Sequence, residues 1–201
     1  MGIEHDGAAA VAHGDRPLRA DARRNRERVL KVAQEVFATE GLSVPVHEIA
    51  RRAGVGTGTV SRHFPTKRAL FRAILLERLY SYVRRADDLC DSDDPGGAFF
   101  SYFAFLVREG GMDRGLAEAL SGPGFDKHAI VSNSDYDVAG ALGRLLVRAQ
   151  DAGAVRADVT TDDAMALLVA CLSRPTDEDD GGSARRRLVD IACQGMRAAM
   201  P

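Results

Sequence analysis

From residue 22 onward the apolar side chains return every three or four positions, and no stretch shows the strict alternation of a half-buried strand. Val29, Val32, Ala33, Val36 and Phe37 predict a first helix over Ala22–Glu40, with Gly41 as its left-handed stop. Two short helical patterns follow, Val46–Ala53 and Thr57–His63, separated by Gly54-Val55. After Pro65, Thr66 reads as the N-cap of a long fourth helix carried by Leu70, Phe71, Ile74, Leu75, Leu79 and Val83 to about Leu89. An acidic turn, Asp91–Gly97, precedes Phe99–Val107, which Gly110-Gly111 is expected to close before a short helix over Arg114–Leu120. Residues 121–135 are weakly patterned and read as loop, with one helical turn near Phe125–Val131. Val138–Ala152, stopped by Gly153, then Thr161–Ser173 and Ala184–Met200 complete the chain, the last two flanking an acidic loop over Pro175–Gly182. With no strand pattern and no fixed repeat, the expectation is an all-α protein of about nine helices. Residues 1–20, rich in Ala, Gly and His without a period, read as a mobile arm.

The three short turns between residues 46 and 64 meet the physical demands of a helix-turn-helix, in which one helix braces the backbone while the next lies in the major groove. Ala50 is small where the two helices cross. Gly54, four positions later, can take the positive φ that turns the chain without steric cost. Ile49, Ala53, Val55, Val60 and Phe64 supply a shared apolar core, which leaves Thr57, Gly58, Thr59, Ser61, Arg62 and His63 facing outward. These are small or hydrogen-bonding groups of the kind that reach base edges and phosphates. The competing reading is a plain αα-hairpin with a glycine turn.

Charge separates the two readings. The formal net charge is only -2, yet Arg16–Arg72 holds 13 Lys+Arg against 5 Asp+Glu, a net of +8, and the remaining residues carry a net of -10. A basic N-terminal third suits a polyanionic partner, because each cation that neutralises a phosphate releases condensed counterions. Arg19, Arg23, Arg24 and Arg26 are then expected to hold phosphate, and His47 on the bracing helix is a further candidate contact.

Arg23–Phe37, Glu48-Ile49-Ala50, Ala53-Gly54-Val55, Gly58-Thr59 and Arg62-His63-Phe64-Pro65 with Lys67–Phe71 together resemble the TetR family of one-component transcriptional regulators. The resemblance covers about residues 20–72. It implies DNA contacts at Thr57, Gly58, Thr59, Ser61 and His63, and a phosphate contact at Lys67. Three positions depart from the family's pattern. Ser61 stands where an aromatic is usual, which removes a backbone contact, while Pro45 and Gly56 replace the usual capping residues of the second and third helices. Glycine is a usable cap at only a few tenths of a kcal/mol, so the fold should survive. The resemblance divides the chain into an arm over 1–19, a DNA-binding domain over 20–66 and a helical ligand-binding and dimerisation domain over 67–201. It further implies a homodimeric repressor on a palindromic operator, released by a small-molecule inducer.

The later helices offer separate support for self-association. Ala164–Leu172 is apolar all round, whereas a helix on a monomer's surface should be polar on one side. Leu167, Leu168 and Leu172, with Leu188, Ile191 and Gly195 of the last helix, are the expected dimer contacts; a single buried core helix is the alternative. Phe99, Phe100, Phe103 and Phe105 are too many for one helix face. A hydrophobic or aromatic ligand pocket lined by Phe99, Phe103, Leu106, Met112, Leu116, Leu142 and Leu145 is one reading, and ordinary core packing is the other.

Other classes are poorly supplied. There is no nucleophile elbow, phosphate loop, HExxH or CxxC, so neither an enzyme nor a cofactor or metal site is expected. Cys90, Cys171 and Cys193 are odd in number and set among apolar neighbours, which suits reduced thiols. No window approaches a membrane span, and the first fifteen residues hold Glu4, Asp6 and Asp15 without a Lys or Arg, so no signal peptide fits and a cytoplasmic location is expected. A helical protein-interaction module without specific DNA binding is the remaining alternative.

Overall fold

The computed structural model describes residues 15–40, 43–119, 134–174 and 182–199, and the side chains of all of these but 15–20, 38 and 111–119. Eight α-helices lie among the described residues: α1 (Asp15–Glu40), α2 (Val46–Arg52), α3 (Thr57–His63), α4 (Lys67–Cys90), α5 (Pro95–Ala119), α6 (Val138–Asp151), α7 (Thr161–Ser173) and α8 (Ser183–Met196). Most of the arm, the Gly41 stop, the turn expected near Phe125–Val131 and most of the acidic loop fall outside the described residues. The chain divides into two compact units, Met1–Leu70 and Phe71–Pro201.

In the first unit α1 packs on α2 and α3, and α2 on α3. Its core is formed by Val29, Leu30, Ala33, Val36 and Phe37 of α1 with Val44, Ile49, Ala50, Ala53, Val60 and Phe64. Gly54 takes φ +64°, the left-handed turn the sequence requires, and the Val55 N–H donates to the Ala50 carbonyl to close it. Helix α1 starts at Asp15, seven residues before the expected Ala22. Pro17 lies in its first turn, where a missing N–H removes no helical bond.

The second unit is built around α5, which packs against α6, α7 and α8. Phe99, Tyr102 and Phe103 of α5 meet Leu142, Leu145 and Leu146 of α6, Leu168 and Cys171 of α7, and Ala192 and Met196 of α8 in one core that also takes Tyr82 and Ala86 of α4. A fully buried aromatic or leucine side chain contributes about 1.5–3 kcal/mol, so this cluster dominates the unit's stability. The buried Tyr102 hydroxyl donates to the Tyr82 carbonyl at 3.0 Å, and Arg144 of α6 donates to Asp87 of α4 at 2.7 Å. Helix α7 opens on a capping box in which the Thr160 hydroxyl accepts from the Asp163 N–H and the Asp163 carboxylate accepts from the Thr160 N–H.

Two expected boundaries are corrected. Phe99–Val107 and Arg114–Leu120 belong to one helix, α5, which runs through Gly110-Gly111 and begins at Pro95, with the Asp94 carboxylate accepting from the Gly97 N–H. Glycine weakens a helix by about 1 kcal/mol without breaking it. Gly110 has a packing reason, since a Cβ there would meet Leu172 of α7 at 3.2 Å. Helix α8 stops at Met196 rather than Met200, because the chain turns extended at Arg197 and forms an antiparallel bridge with Val155. There the Arg156 N–H donates to the Met196 carbonyl and the Ala198 N–H to the Ala154 carbonyl.

Candidate nucleic-acid interface

Helix α3 is seven residues long and is held by a single fully buried side chain, Val60, with Phe64 buried behind its C-terminal end. Its outer positions follow from that anchor. Thr57, Gly58, Ser61, Arg62 and His63 are exposed, and Thr59 is half-buried. A Cβ on Gly58 would meet nothing within 4 Å, so the helix surface there is open to an approaching groove. Neither α2 nor α3 has a side-chain cap. The carbonyls of Pro45 and Gly56 accept the first helical N–H groups, and the Gly54 turn keeps the two short helices packed despite the missing caps.

The candidate contacts outside α3 divide. His47 on α2 and Arg23 on α1 are exposed, Arg23 with its Nε 3.6 Å from Glu27. Lys67 is different. Its ammonium donates to the Val44 carbonyl at 2.8 Å and sits 5.6 Å from the centre of the Phe37 ring, and burial holds its pKa below the usual lysine value.

An ion-pair network that sequence reasoning missed lies behind the reading face. Arg51 grips Glu48 with two bonds of 2.7 Å. Arg52 donates to the same carboxylate at 2.8 Å and reaches back to Glu40 at the end of α1. These guanidinium bonds pull Glu48 down to about 2 and lower Glu40 as well, while raising both arginines. The Glu48–Arg52 spacing of four is visible in the sequence, but the Glu40–Arg52 pair spans twelve residues and has no local signal. Arg26, half-buried, lies 5.7 Å over the Phe64 ring.

In the second unit, Phe99, Phe103, Leu106, Leu142 and Leu145 are all buried in one cluster, whereas the side chains of Met112 and Leu116 fall outside those described. Of the expected dimer contacts, Leu168 points into the chain's own core, at 7% exposure, which corrects its assignment to a partner-facing position. Leu167, Leu172 and Leu188 are half-buried and Gly195 is exposed. Ile191 is 62% exposed and Val169, which the apolar run contains but leucine counting passed over, is 55% exposed. Leu167, Ile191 and Gly195 line an open groove of about 430 Å³ beside Val159, Met196 and the Arg156–Asp158 pair. The three cysteines are unbridged, and burial raises the Cys193 thiol to about 11. No described helix is long and apolar enough to cross a membrane.

Residues 29–74 match the bacterial regulatory proteins of the tetR family, and residues 94–198 match the C-terminal domain of SbtR-like transcriptional regulators. The chain belongs to the TetR family of transcriptional regulators, whose members bind DNA, dimerise and often bind small molecules. A TetR transcription regulatory protein from Mycobacterium vanbaalenii is 44% identical, with a TM-score of 0.74 over 90% of this chain and 100% of that one. A TetR transcriptional regulator from Streptomyces coelicolor is 30% identical, with a TM-score of 0.67 over 87% and 99%. An HTH-type transcriptional regulator of Staphylococcus aureus (strain USA300) is 31% identical over 75 residues, which span 37% of this chain and 40% of the relative's length.

Proposed function

We propose that this chain is a homodimeric repressor that seats α3 of each protomer in successive major grooves of a near-palindromic operator and is released by a small molecule. The observation that carries the reading is α3 itself: a helix anchored by the buried Val60 that turns Thr57, Gly58, Ser61, Arg62 and His63 to solvent in the basic third of the chain. In this reading Thr59 and His63 read base edges, Thr57, Gly58, Ser61 and Arg62 approach bases and backbone, and His47 and Arg23 hold phosphates. Half-sites then lie about one helical turn apart, roughly 34 Å, or somewhat more. Self-association uses α7 and α8, where the exposed Val169 and Ile191 beside Leu167, Leu172, Leu188 and Gly195 leave apolar surface that a lone protomer should cover. The inducer is hydrophobic or aromatic and enters at the Phe99, Phe103, Leu106, Leu142 and Leu145 cluster, with Met112 and Leu116. It lowers DNA affinity only by its preference for a conformation with wrongly spaced reading helices.

The test is binding of the purified protein to the duplex upstream of its own gene and to a scrambled duplex, across a salt series. Tight, salt-sensitive and sequence-dependent binding is expected. Equally weak binding to both would refute autoregulation. Failure to select any duplex from random DNA would then leave a helical protein-interaction module.

A further inference from the structure

Two cations of the first unit face inward and grip the corner where α3 hands the chain to α4. Lys67 is the first residue of α4, three positions after Phe64 ends α3. Its ammonium reaches the Val44 carbonyl, in the segment between α1 and α2, at 2.8 Å, and lies over the buried ring of Phe37 on α1. On the other side of the corner, Arg26 of α1 lays its guanidinium over Phe64. Both contacts join points far apart in the chain, and both involve a ring that is 3% exposed. A half-buried ammonium held by a carbonyl and a ring face has exchanged part of its hydration for fixed partners, and moving it to a phosphate would break both.

We infer that Lys67, together with Arg26, is a positioning residue of the reading head: it fixes the angle at which α3 is presented to the groove instead of neutralising a phosphate. The inference rests on the reading of α3 as the DNA-contacting helix and departs from the phosphate contact that the family resemblance places at Lys67. A phosphate contact and a positioning contact leave different marks. Losing the first removes one released counterion and weakens binding to every duplex alike. Losing the second leaves counterion release unchanged and weakens the operator more than random DNA.

The experiment uses the full chain and a duplex that the wild-type protein selects from a random pool, with a scrambled duplex alongside, at a temperature where each variant is fully folded by its melting curve. Lys67→Met keeps the stem and removes the charge, and Phe37→Leu removes the ring while leaving the lysine. Both variants are expected to lose about tenfold in affinity for the selected duplex, the loss typical of one charge-assisted contact. Their preference over scrambled DNA should fall, with a wild-type slope of log K against log salt. Lys67→Arg, which can still reach a carbonyl and a ring, should restore the preference. A slope shallower by about 0.9 in Lys67→Met, with equal losses on both duplexes, would overturn the inference in favour of a phosphate contact. Unchanged affinity in both variants would overturn it too. A wild-type protein that selects no duplex would instead refute the reading of α3, before any variant is made, and this inference with it.

Discussion

His63 and Thr59 stand one helical turn apart on α3, and their assigned task differs from that of Arg23 on α1, so single substitutions separate them. His63→Ala or Thr59→Ala should change which base pairs are preferred at one position per half-site, at a cost of about 1–3 kcal/mol for the matched base. Arg23→Ala should weaken operator and random DNA alike and make the salt slope shallower by about 0.9. Anisotropy titrations on both duplexes, with single-base operator variants, check the assignment; equal losses everywhere for all three variants would refute it. Glu48 acts on stability instead. Its carboxyl is lowered from the ordinary 4.5 to about 2 by Arg51 and then Arg52. Its contribution is therefore complete above about pH 4.5 and is lost as the pH falls towards 2. Glu48→Gln should melt below wild type at neutral pH, and the difference should close on acidification through that window, as thermal melts at a series of pH values would show. A gap that stays constant down to pH 2 would exclude this origin.

Among the elements, helix α6 meets α7 at glycine. A Cβ on Gly143 would lie 2.9 Å from the Thr161 hydroxyl, and the short threonine side chain has little freedom to withdraw. Gly143→Ala should therefore destabilise the second unit by about 1–3 kcal/mol in denaturant unfolding, although alanine is the better helix former by about 1 kcal/mol. The same conflict explains what the sequence could and could not disclose. Helices α2, α3, α6 and α7 are written in local signals: Gly54 and Gly153 at positive φ, the Thr160–Asp163 capping box and an apolar period that needs no distant partner. Thr66 was legible as a cap too, its hydroxyl accepting from the Ala69 N–H. Gly110-Gly111 carried the local mark of a stop, yet the helix continues because Leu172, sixty-two positions away, occupies the space a side chain would fill. At the candidate site the exposed face of α3 followed from its one buried anchor. The inward turn of Lys67 did not, because Val44 and Phe37 lie twenty-three and thirty residues back along the chain. Leu168 misled for a related reason: an all-apolar run says that two faces are covered without saying which residue serves which.

At the scale of the whole molecule, α7 and α8 leave Val169 and Ile191 in water. Replacing either with arginine puts a charge where a partner's apolar surface should pack, with no core contact to lose. Ile191→Arg and Val169→Arg should shift the protein towards monomer by at least tenfold in dissociation constant, with an unaltered circular dichroism spectrum; the loss reflects an unpaired charge at a desolvated contact. Light scattering across a dilution series would show it, and wild-type-like dimers in both variants would place the interface elsewhere. The arginine pairs of the first unit have a different reach. Arg24 is bonded to Asp21, Arg51 to Glu48, and Arg52 to both Glu48 and Glu40, so part of the basic excess is already answered within the protein. A chromosome offers roughly 10⁶–10⁹ competing sites of no particular sequence, and a regulator lingers on them in proportion to the cations it has to offer. By holding these arginines to its own carboxylates, the protein shortens each unproductive stop, and a small number of copies per cell can then keep a single operator occupied.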